Sequence, residues 1–359
     1  MNQLTSTTLA HGYCRRSSLV YTTIPRRRII LGDALTVLRQ LPSSSVDVVL
    51  SSPAYFRLRN YQVDGQLGME PTVSEWVEHL VGVCDELARL LRATGSLWLN
   101  LGDSYSSHPR FGAPRKSLLL GPERLLTALA ERGWIVRNKV VWAKPNPMPA
   151  SVRDRLNTTW ESMFLLVRSS HPYFDLDAIR EPHRSTRSPI IKPPSATKYG
   201  SAKRPPWAGP LAGTNDGLLK ARAEGRSGHP LGKNPGDVWT VATAKFSGQH
   251  FATFPAALIE RPIKATCPAR VCVSCGAPWT VTGHQLDPSC RCKGSWRPGL
   301  VLDPFLGSGT TAAVAERLGR DWLGIELKPE YVEMAMERIH AGRASREEVM
   351  NKEERRNGR

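Results

Sequence analysis

Apolar positions along the chain fall into short continuous runs that alternate with helically spaced stretches. The segment "IILGDALTVLRQLPSSSVDVVLSSPAYF", from Ile29, reads as strand, helix and strand. Thr72-x-x-Glu75 forms a capping box. It opens a helix whose apolar positions are Trp76, Val77, Leu80, Val81, Cys84, Leu87 and Leu91. Gly95 is expected to end that helix, with "SLWLNL" (Ser96 to Leu101) following as a buried strand. "GPERLLTALAERGW" predicts a second helix and "VRNKVVWAKP" another strand. Further on, "HFATFPAALIERPIKATC" predicts a short helix with its lead-in. "GLVLDPFLGSGTTAAVAERLGRDWLGIELKPEYVEMAMERI" predicts strand, glycine-rich turn, helix, strand and helix. Alternating strands and helices imply an α/β protein with a largely parallel sheet covered on both faces.

Three segments break this pattern. Residues 1–28 are polar and basic, end in Arg26-Arg27-Arg28, and are expected to form a loose arm. From His183 to Pro235 there are ten Lys or Arg against two acids, Asp216 and Glu224, and no hydrophobic period. That stretch is either a solvated linker or a nucleic-acid contact region in which Tyr199 and Trp207 stack on bases. The tail from Ala341 is highly charged and expected to fray. The whole chain carries 49 Lys and Arg against 32 Asp and Glu, formally +17, which argues for a polyanionic partner. No apolar run approaches the roughly 18 residues that span a bilayer, and the first residues lack an apolar secretory core. A cytoplasmic protein with no membrane partner is the expectation.

Cysteines are uneven: Cys14 and Cys84 stand alone, while Cys267, Cys272, Cys275, Cys290 and Cys292 crowd together. Cys272-x2-Cys275 followed by Cys290-x-Cys292 offers four thiolates on two short turns, a set suited to a tetrahedral structural zinc. Cys267 and His284 are substitutes, and the alternative is a reduced loop without metal.

In "VLDPFLGSGTTAAVAERL", Gly307 and Gly309 lie in the turn between a buried strand and a helix. Glu326 ends the next strand about 20 residues on, the spacing at which an acid meets ribose hydroxyls. No Gly-Lys-Ser/Thr follows, so this is not a triphosphate loop. With Asp303 at the strand's end, two carboxylates and no basic clamp suit a nucleoside that carries a cationic group.

"DPFLGSGTT" with "GIELKPEY" resembles the S-adenosylmethionine half of the amino-methylating DNA methyltransferases. "SSPAYF" resembles their catalytic loop, which usually reads Asp, Asn or Ser, then Pro-Pro and an aromatic. The catalytic loop comes first and the cofactor loop last, with a basic insertion between, as in the permuted β group of that family. The resemblance covers roughly residues 28 to 340. It implies a Rossmann-like methyltransferase fold: a doubly wound, mostly parallel seven-stranded sheet with circularly permuted motifs, a basic target-recognition insertion and a small zinc-knuckle insertion.

The implied organisation is an arm (1–28), a catalytic half (29–182) and a target-recognition insertion (183–245). A cofactor half (246–268 and 300–340) is interrupted by the cysteine-rich knuckle (269–299), and a charged tail (341–359) ends the chain. Cofactor contacts are then Asp33, His250, Phe251, Phe254, Asp303, Pro304, Phe305, Gly307, Gly309, Thr310, Thr311 and Glu326. Arg184, Arg187, Lys192, Lys198, Lys203 and Arg204 would contact DNA, and Arg270, Arg291, Lys293 and Arg297 of the knuckle could touch it too. Metal would be held by Cys272, Cys275, Cys290 and Cys292.

The implied reaction is methyl transfer to an exocyclic amine of a base flipped out of duplex DNA. Ser52 Oγ and the Pro53 carbonyl would accept the amine's two N–H groups, and Tyr55 would stack on the base with Phe56 in support. Serine at the first motif position resembles the cytosine-N4 branch; adenine-N6 is the alternative, and an idle DNA-binding protein the alternative of another class. Ala54 departs from the family's second proline. A bacterial or phage modification enzyme is implied, with a homodimer and a cognate restriction endonuclease as candidate partners.

Overall fold

The computed structural model describes residues 13–14, 20–183, 229–243, 254–282 and 285–357. They belong to two compact units: residues 1–175 with 237–359, and residues 176–236.

The larger unit is built on a sheet whose first strands are β1 (Tyr13–Cys14), β2 (Arg28–Leu31), β3 (Val46–Ser51) and β4 (Leu91–Leu101). β5 (Ile135–Ala143), β6 (Trp160–Val167) and β7 (Val238–Thr240) follow, and β12 (Leu300–Asp303) and β13 (Asp321–Glu326) complete it. Their order is β1-β2-β13-β12-β3-β4-β6-β5-β7. Among the described residues the sheet therefore has nine strands where seven were expected. The two extra ones are the outermost, β1 with two residues and β7 with three, too short for their pattern to register. From β2 through β4 the pairing is parallel, whereas β6 runs antiparallel to both β4 and β5. The fold is a mixed, mainly parallel α/β sheet.

Helices α1 (Ala34–Gln40), α2 (Val73–Leu90) and α3 (Gly121–Glu131) pack with one core; α4 (Ala256–Thr266), α5 (Thr310–Arg317) and α6 (Pro329–Asn357) pack with the other. Successive strand residues serve opposite cores, as the pleat requires. Ile30, Val49 and Leu302 join Leu38, Trp76 and Leu80, while Ile29, Leu50 and Val301 join Leu258, Ile259 and Val314. The expected N-cap forms: Thr72 Oγ1 accepts from Glu75 N at 3.2 Å and donates to Glu75 Oε1 at 2.9 Å.

Three boundaries differ from the sequence reading. Helix α2 ends at Leu90 rather than Gly95, and β4 begins at once. The pairing skips from Val46↔Leu91 to Val48↔Ser96, so Arg92 to Gly95 form a bulge. A Cβ on Gly95 would come within 3.0 Å of the Asp47 carbonyl, so this glycine serves close strand approach instead of stopping a helix. Residues 20–28 of the arm are tied down, since Tyr21 N donates to Gln40 O and Arg26 and Arg27 both bond Asp321. Finally, α6 runs on to Asn357 through the segment read as a frayed tail, which is rich in helix-favouring Glu and Arg.

In the smaller unit, Asp177–Ile179 form a 3-10 turn and Glu181 bridges to Lys233 through both backbone and side chain. Residues 184–228 lie outside the described residues, and with them Arg184, Arg187, Lys192, Lys198, Tyr199, Lys203, Arg204 and Trp207. Among the described residues no helix is long and apolar enough to cross a membrane.

Candidate active site at the C-terminal edge of the sheet

Parallel strands deliver their last residues to one edge, where open α/β sheets bind ligands. Here those residues are Leu31, Glu326, Asp303 and Ser51, on neighbouring strands, with Leu31 in register with Glu326 and Asp303 with Gly324. Each strand then breaks into a loop that carries candidate chemistry.

After β12, Gly307 (φ 53°) and Gly309 (φ 78°) turn the chain into α5. A Cβ on Gly309 would lie 2.8 Å from that of Ala335, so only glycine allows this turn to sit against α6. Gly307 N donates to Glu326 Oε2 at 2.7 Å and Lys328 N to Oε1 at 2.9 Å. Asp303 is buried and receives Ser51 Oγ (2.5 Å), Thr311 Oγ1 (2.6 Å) and Phe305 N (3.0 Å). The Ser51–Asp303 bond thus ties the strand before the catalytic loop to the strand before the glycine loop. Thr310 receives Arg338 Nη1 at 2.6 Å, Pro304 is buried, and Phe305 packs half-buried against the first core.

Burial pushes the Asp303 carboxyl up to about 6, against the opposing pull of its three donors. Burial likewise raises Glu326. Among the described residues no cation bonds either acid, so the pocket offers negative charge that no counter-ion of the protein cancels. That donor set fits a ribose and a sulfonium. Asp33 follows β2 on this edge, beside Glu326, and its Oδ1 caps α1 by accepting from Thr36 N at 2.8 Å. Phe254 leads into α4 and packs half-buried on the second core. His250 and Phe251 lie outside the described residues.

The catalytic loop leaves β3 at Ser51. Its backbone is held by Trp76 Nε1 donating to Ala54 O (3.0 Å) and Ser104 Oγ donating to Phe56 O (2.8 Å). Phe56, expected to support the base stack, is 2% exposed and packs between Trp76 and Phe111. It anchors the loop from below and presents no face to a base. Tyr55 lies against Gly102, where a Cβ would meet its ring at 2.8 Å. Its hydroxyl sits 3.3 Å from Ser52 Oγ, donates to Glu161 Oε2 (2.7 Å) and accepts from Asn100 Nδ2 (2.7 Å). Lys144 Nζ bonds the other oxygen of Glu161. Burial, and after it the Glu161 charge, raise the Tyr55 hydroxyl well above the ordinary tyrosine range, so it stays protonated.

Glu161, Asn100 and Lys144 were not singled out from the sequence. Asn100 carried a usable signal, being the polar residue inside the apolar run "SLWLNL". Glu161 and Lys144 did not, because their strands meet only in the folded sheet.

The cysteine segment lies at the opposite edge. It contains β8 (Val271–Cys272) paired with β11 (Trp296–Arg297), and the hairpin of β9 (Trp279–Thr282) and β10 (Gln285–Pro288). The Sγ atoms of Cys272, Cys275, Cys290 and Cys292 all lie within 4.8 Å of one another. All four are free thiols. Zn–S bonds of about 2.3 Å put tetrahedral sulfurs about 3.8 Å apart, so the cluster has the dimensions and soft donors of a zinc site. Hydrogen bonds from the Cys275 backbone lower the Cys272 thiol to about 6. Cys267 is no part of the cluster; it is buried in the second core. His284 lies outside the described residues. Two arginines of the segment are committed internally: Arg297 to Asp47 at 3.0 Å, and Arg270 over the rings of Trp279 and Trp296.

The buried acids Asp303 and Glu326, the glycine turn and the loop that follows Ser51 thus share one edge of the sheet, the arrangement expected of a DNA methyltransferase that uses S-adenosylmethionine. The chain belongs to the N6/N4 DNA methylase family, whose model, described as a DNA methylase, matches residues 46–337. The type II methyltransferase M.Cfr9I of Citrobacter freundii is 34% identical, over 86% of this chain and 86% of that one. M.SfiI of Streptomyces fimbriatus is 31% identical, over 86% of this chain and 90% of that one. Among solved structures, the cytosine-N4-specific PvuII DNA methyltransferase shares the fold with a TM-score of 0.55 and 20% identity, over 88% of this chain and 87% of that one.

Proposed function

We propose that the protein methylates the N4 amine of cytosine within a specific duplex site. The observation that carries this reading is the Ser51–Asp303 bond, which sets Ser52 and Pro53 beside the acidic cofactor pocket. Serine at position 52 and the similarity to a cytosine-N4-specific enzyme support N4 over adenine N6.

The amine's lone pair is delocalised into the base, so it must be localised before it can attack. Ser52 Oγ and the Pro53 carbonyl accept its two N–H groups. The ring of Tyr55, backed by Gly102, holds the extruded base. Asp303, Glu326 and the glycine loop would hold S-adenosylmethionine, which would supply the methyl group as an electrophile. The amine nitrogen would bond to the methyl carbon as the carbon–sulfur bond breaks, releasing S-adenosylhomocysteine, and its surplus proton would pass to solvent; no covalent bond to the protein forms. Orientation and fixed electrostatics carry the rate.

Sequencing of modified bases in DNA treated with the protein and S-adenosylmethionine should find N4-methylcytosine at one recurring site. N6-methyladenine there would overturn the choice of base. Ser52→Ala should slow single-turnover transfer by roughly 10²–10³-fold, the usual cost of removing one preorganised polar contact in a transition state. Its S-adenosylmethionine affinity should stay unchanged.

The cysteine cluster is read as a structural zinc site held by Cys272, Cys275, Cys290 and Cys292, which folds the 269–299 insertion. The purified protein should carry about one zinc per chain by elemental analysis, the stoichiometry of one four-thiolate site, and Cys272→Ser should lose it. A metal-free native protein would sink the assignment.

A further inference from the structure

Four polar groups meet at the ends of neighbouring strands: one from the loop after β3, one each from β4 and β6, and one just past the end of β5. These are Tyr55, Asn100, Glu161 and Lys144, and together they fix which way hydrogen bonds point.

The Tyr55 hydroxyl has one hydrogen to give. Glu161 Oε2, 2.7 Å away, is a carboxylate oxygen and can only accept, so that hydrogen is committed to it. Lys144 Nζ donates to the other carboxylate oxygen, so both oxygens of Glu161 face donors and serve as acceptors. Asn100 Nδ2 donates both to the Tyr55 oxygen at 2.7 Å and to Glu161 Oε2 at 2.6 Å. The amide cannot be turned round, because its oxygen would then face the carboxylate. The cost of this orientation is visible: Asn100 Oδ1 is buried without a hydrogen-bond partner. Tyr55 Oη is left able only to accept from Ser52, at 3.3 Å.

We propose that Glu161, acting through Tyr55, is a positioning residue that makes Ser52 donate its proton inward, leaving Ser52 Oγ a pure acceptor for the base amine. A serine hydroxyl free to rotate would point its own hydrogen at the amine in part of its orientations, and in those it would oppose the attack. An aspartate in the same place has no hydrogen to misdirect. Such a device is needed where serine stands in for a carboxylate. The proposal rests on the reading of Ser52 as an amine acceptor.

The test is a double-mutant cycle in single-turnover methyl transfer, with DNA and S-adenosylmethionine affinities measured alongside. Tyr55→Phe keeps the ring and removes the hydroxyl; it should slow transfer about tenfold, the size of one lost neutral hydrogen bond. S-adenosylmethionine affinity should not move. Glu161→Gln keeps the volume but offers one acceptor atom to three donors, and should slow transfer several-fold. In a Ser52→Ala background neither substitution should slow transfer further. A merely structural network would cost the same in both backgrounds, and that result would overturn the proposal, as would a full-rate Tyr55→Phe enzyme. Full activity of Ser52→Ala by itself would instead overturn the underlying reading of Ser52, so the two failures are distinguishable.

Discussion

The two ends of the same strands treat buried acids in opposite ways. Near the N-terminal ends of β3 and β13, Asp47 and Asp321 are each flanked by two arginines. Asp47 meets Arg297 at 3.0 Å and Arg92 at 3.3 Å, while Asp321 meets Arg26 at 2.8 Å and Arg27 at 2.9 Å. At the C-terminal ends of β12 and β13, Asp303 and Glu326 are held, among the described residues, by hydroxyls and backbone N–H groups. A buried carboxylate wants a counter-charge, and where the protein provides one the acid becomes a fastener. Where the protein provides only neutral donors, the charge remains available to a cationic ligand. The contrast also places the cysteine knuckle. Arg297 follows directly on Trp296 of β11 and pairs with Asp47. A Cβ on Gly276 would strike the Arg92 guanidinium, at 1.8 Å. The cysteine segment therefore packs at the N-terminal edge of the sheet, and its Arg297 and Arg270 make internal contacts where the sequence suggested contact with DNA.

Exchanging phenotypes between the two edges would break this comparison. Asp47→Asn leaves two largely buried guanidinium groups without their partner and should lower the unfolding free energy by about 3 kcal/mol, the low end for a broken buried pair. Its S-adenosylmethionine affinity should be unchanged in a calorimetric titration. Glu326→Ala should do the reverse: affinity for S-adenosylmethionine should fall roughly 10–100-fold, as expected for losing hydrogen bonds to a charged group. Urea unfolding should show the smaller stability loss in Glu326→Ala. An Asp47→Asn protein that binds cofactor as poorly as Glu326→Ala would mean that the two edges are not separate in function.

Legibility from the sequence followed the range of the interactions involved. The strands of the central sheet were readable because a strand buried on both faces writes a mostly apolar run, as Val48–Leu50 does within β3. Gly307, Gly309 and Glu326 were readable because one strand–turn–helix–strand unit holds all three, and a bond from Gly307 N to Glu326 closes it. Ser51 was legible only as the end of a run; its bond to Asp303 spans 252 residues of chain. Glu161 and Lys144 were invisible for the same reason, since an acid beside an aromatic strand carries no sign of the tyrosine it will face. Phe56 misled because adjacent aromatics in a loop suggest a shared stacking role. The backbone turn sends one ring to Gly102 and the other into the core.

The smallest expected effect isolates the uncancelled charge itself. The Asp303 carboxyl is raised from 3.8 to about 6 by burial, so the folded state holds its proton more tightly than the unfolded chain does. The stability this adds is complete below the unfolded value and is lost as pH rises through the folded one. Between pH 7 and pH 5.5 the native protein should therefore gain about 1 kcal/mol relative to Asp303→Asn, which has no proton to bind. Urea unfolding of both proteins at the two pH values measures the difference. A constant difference would show that Asp303 titrates in the fold as it does in the unfolded chain. Saturating S-adenosylmethionine sharpens the result: a sulfonium beside this acid holds it ionised and should shrink the gain at pH 5.5. An undiminished gain would place the cation away from Asp303, leaving Glu326 as the acid that receives the cofactor.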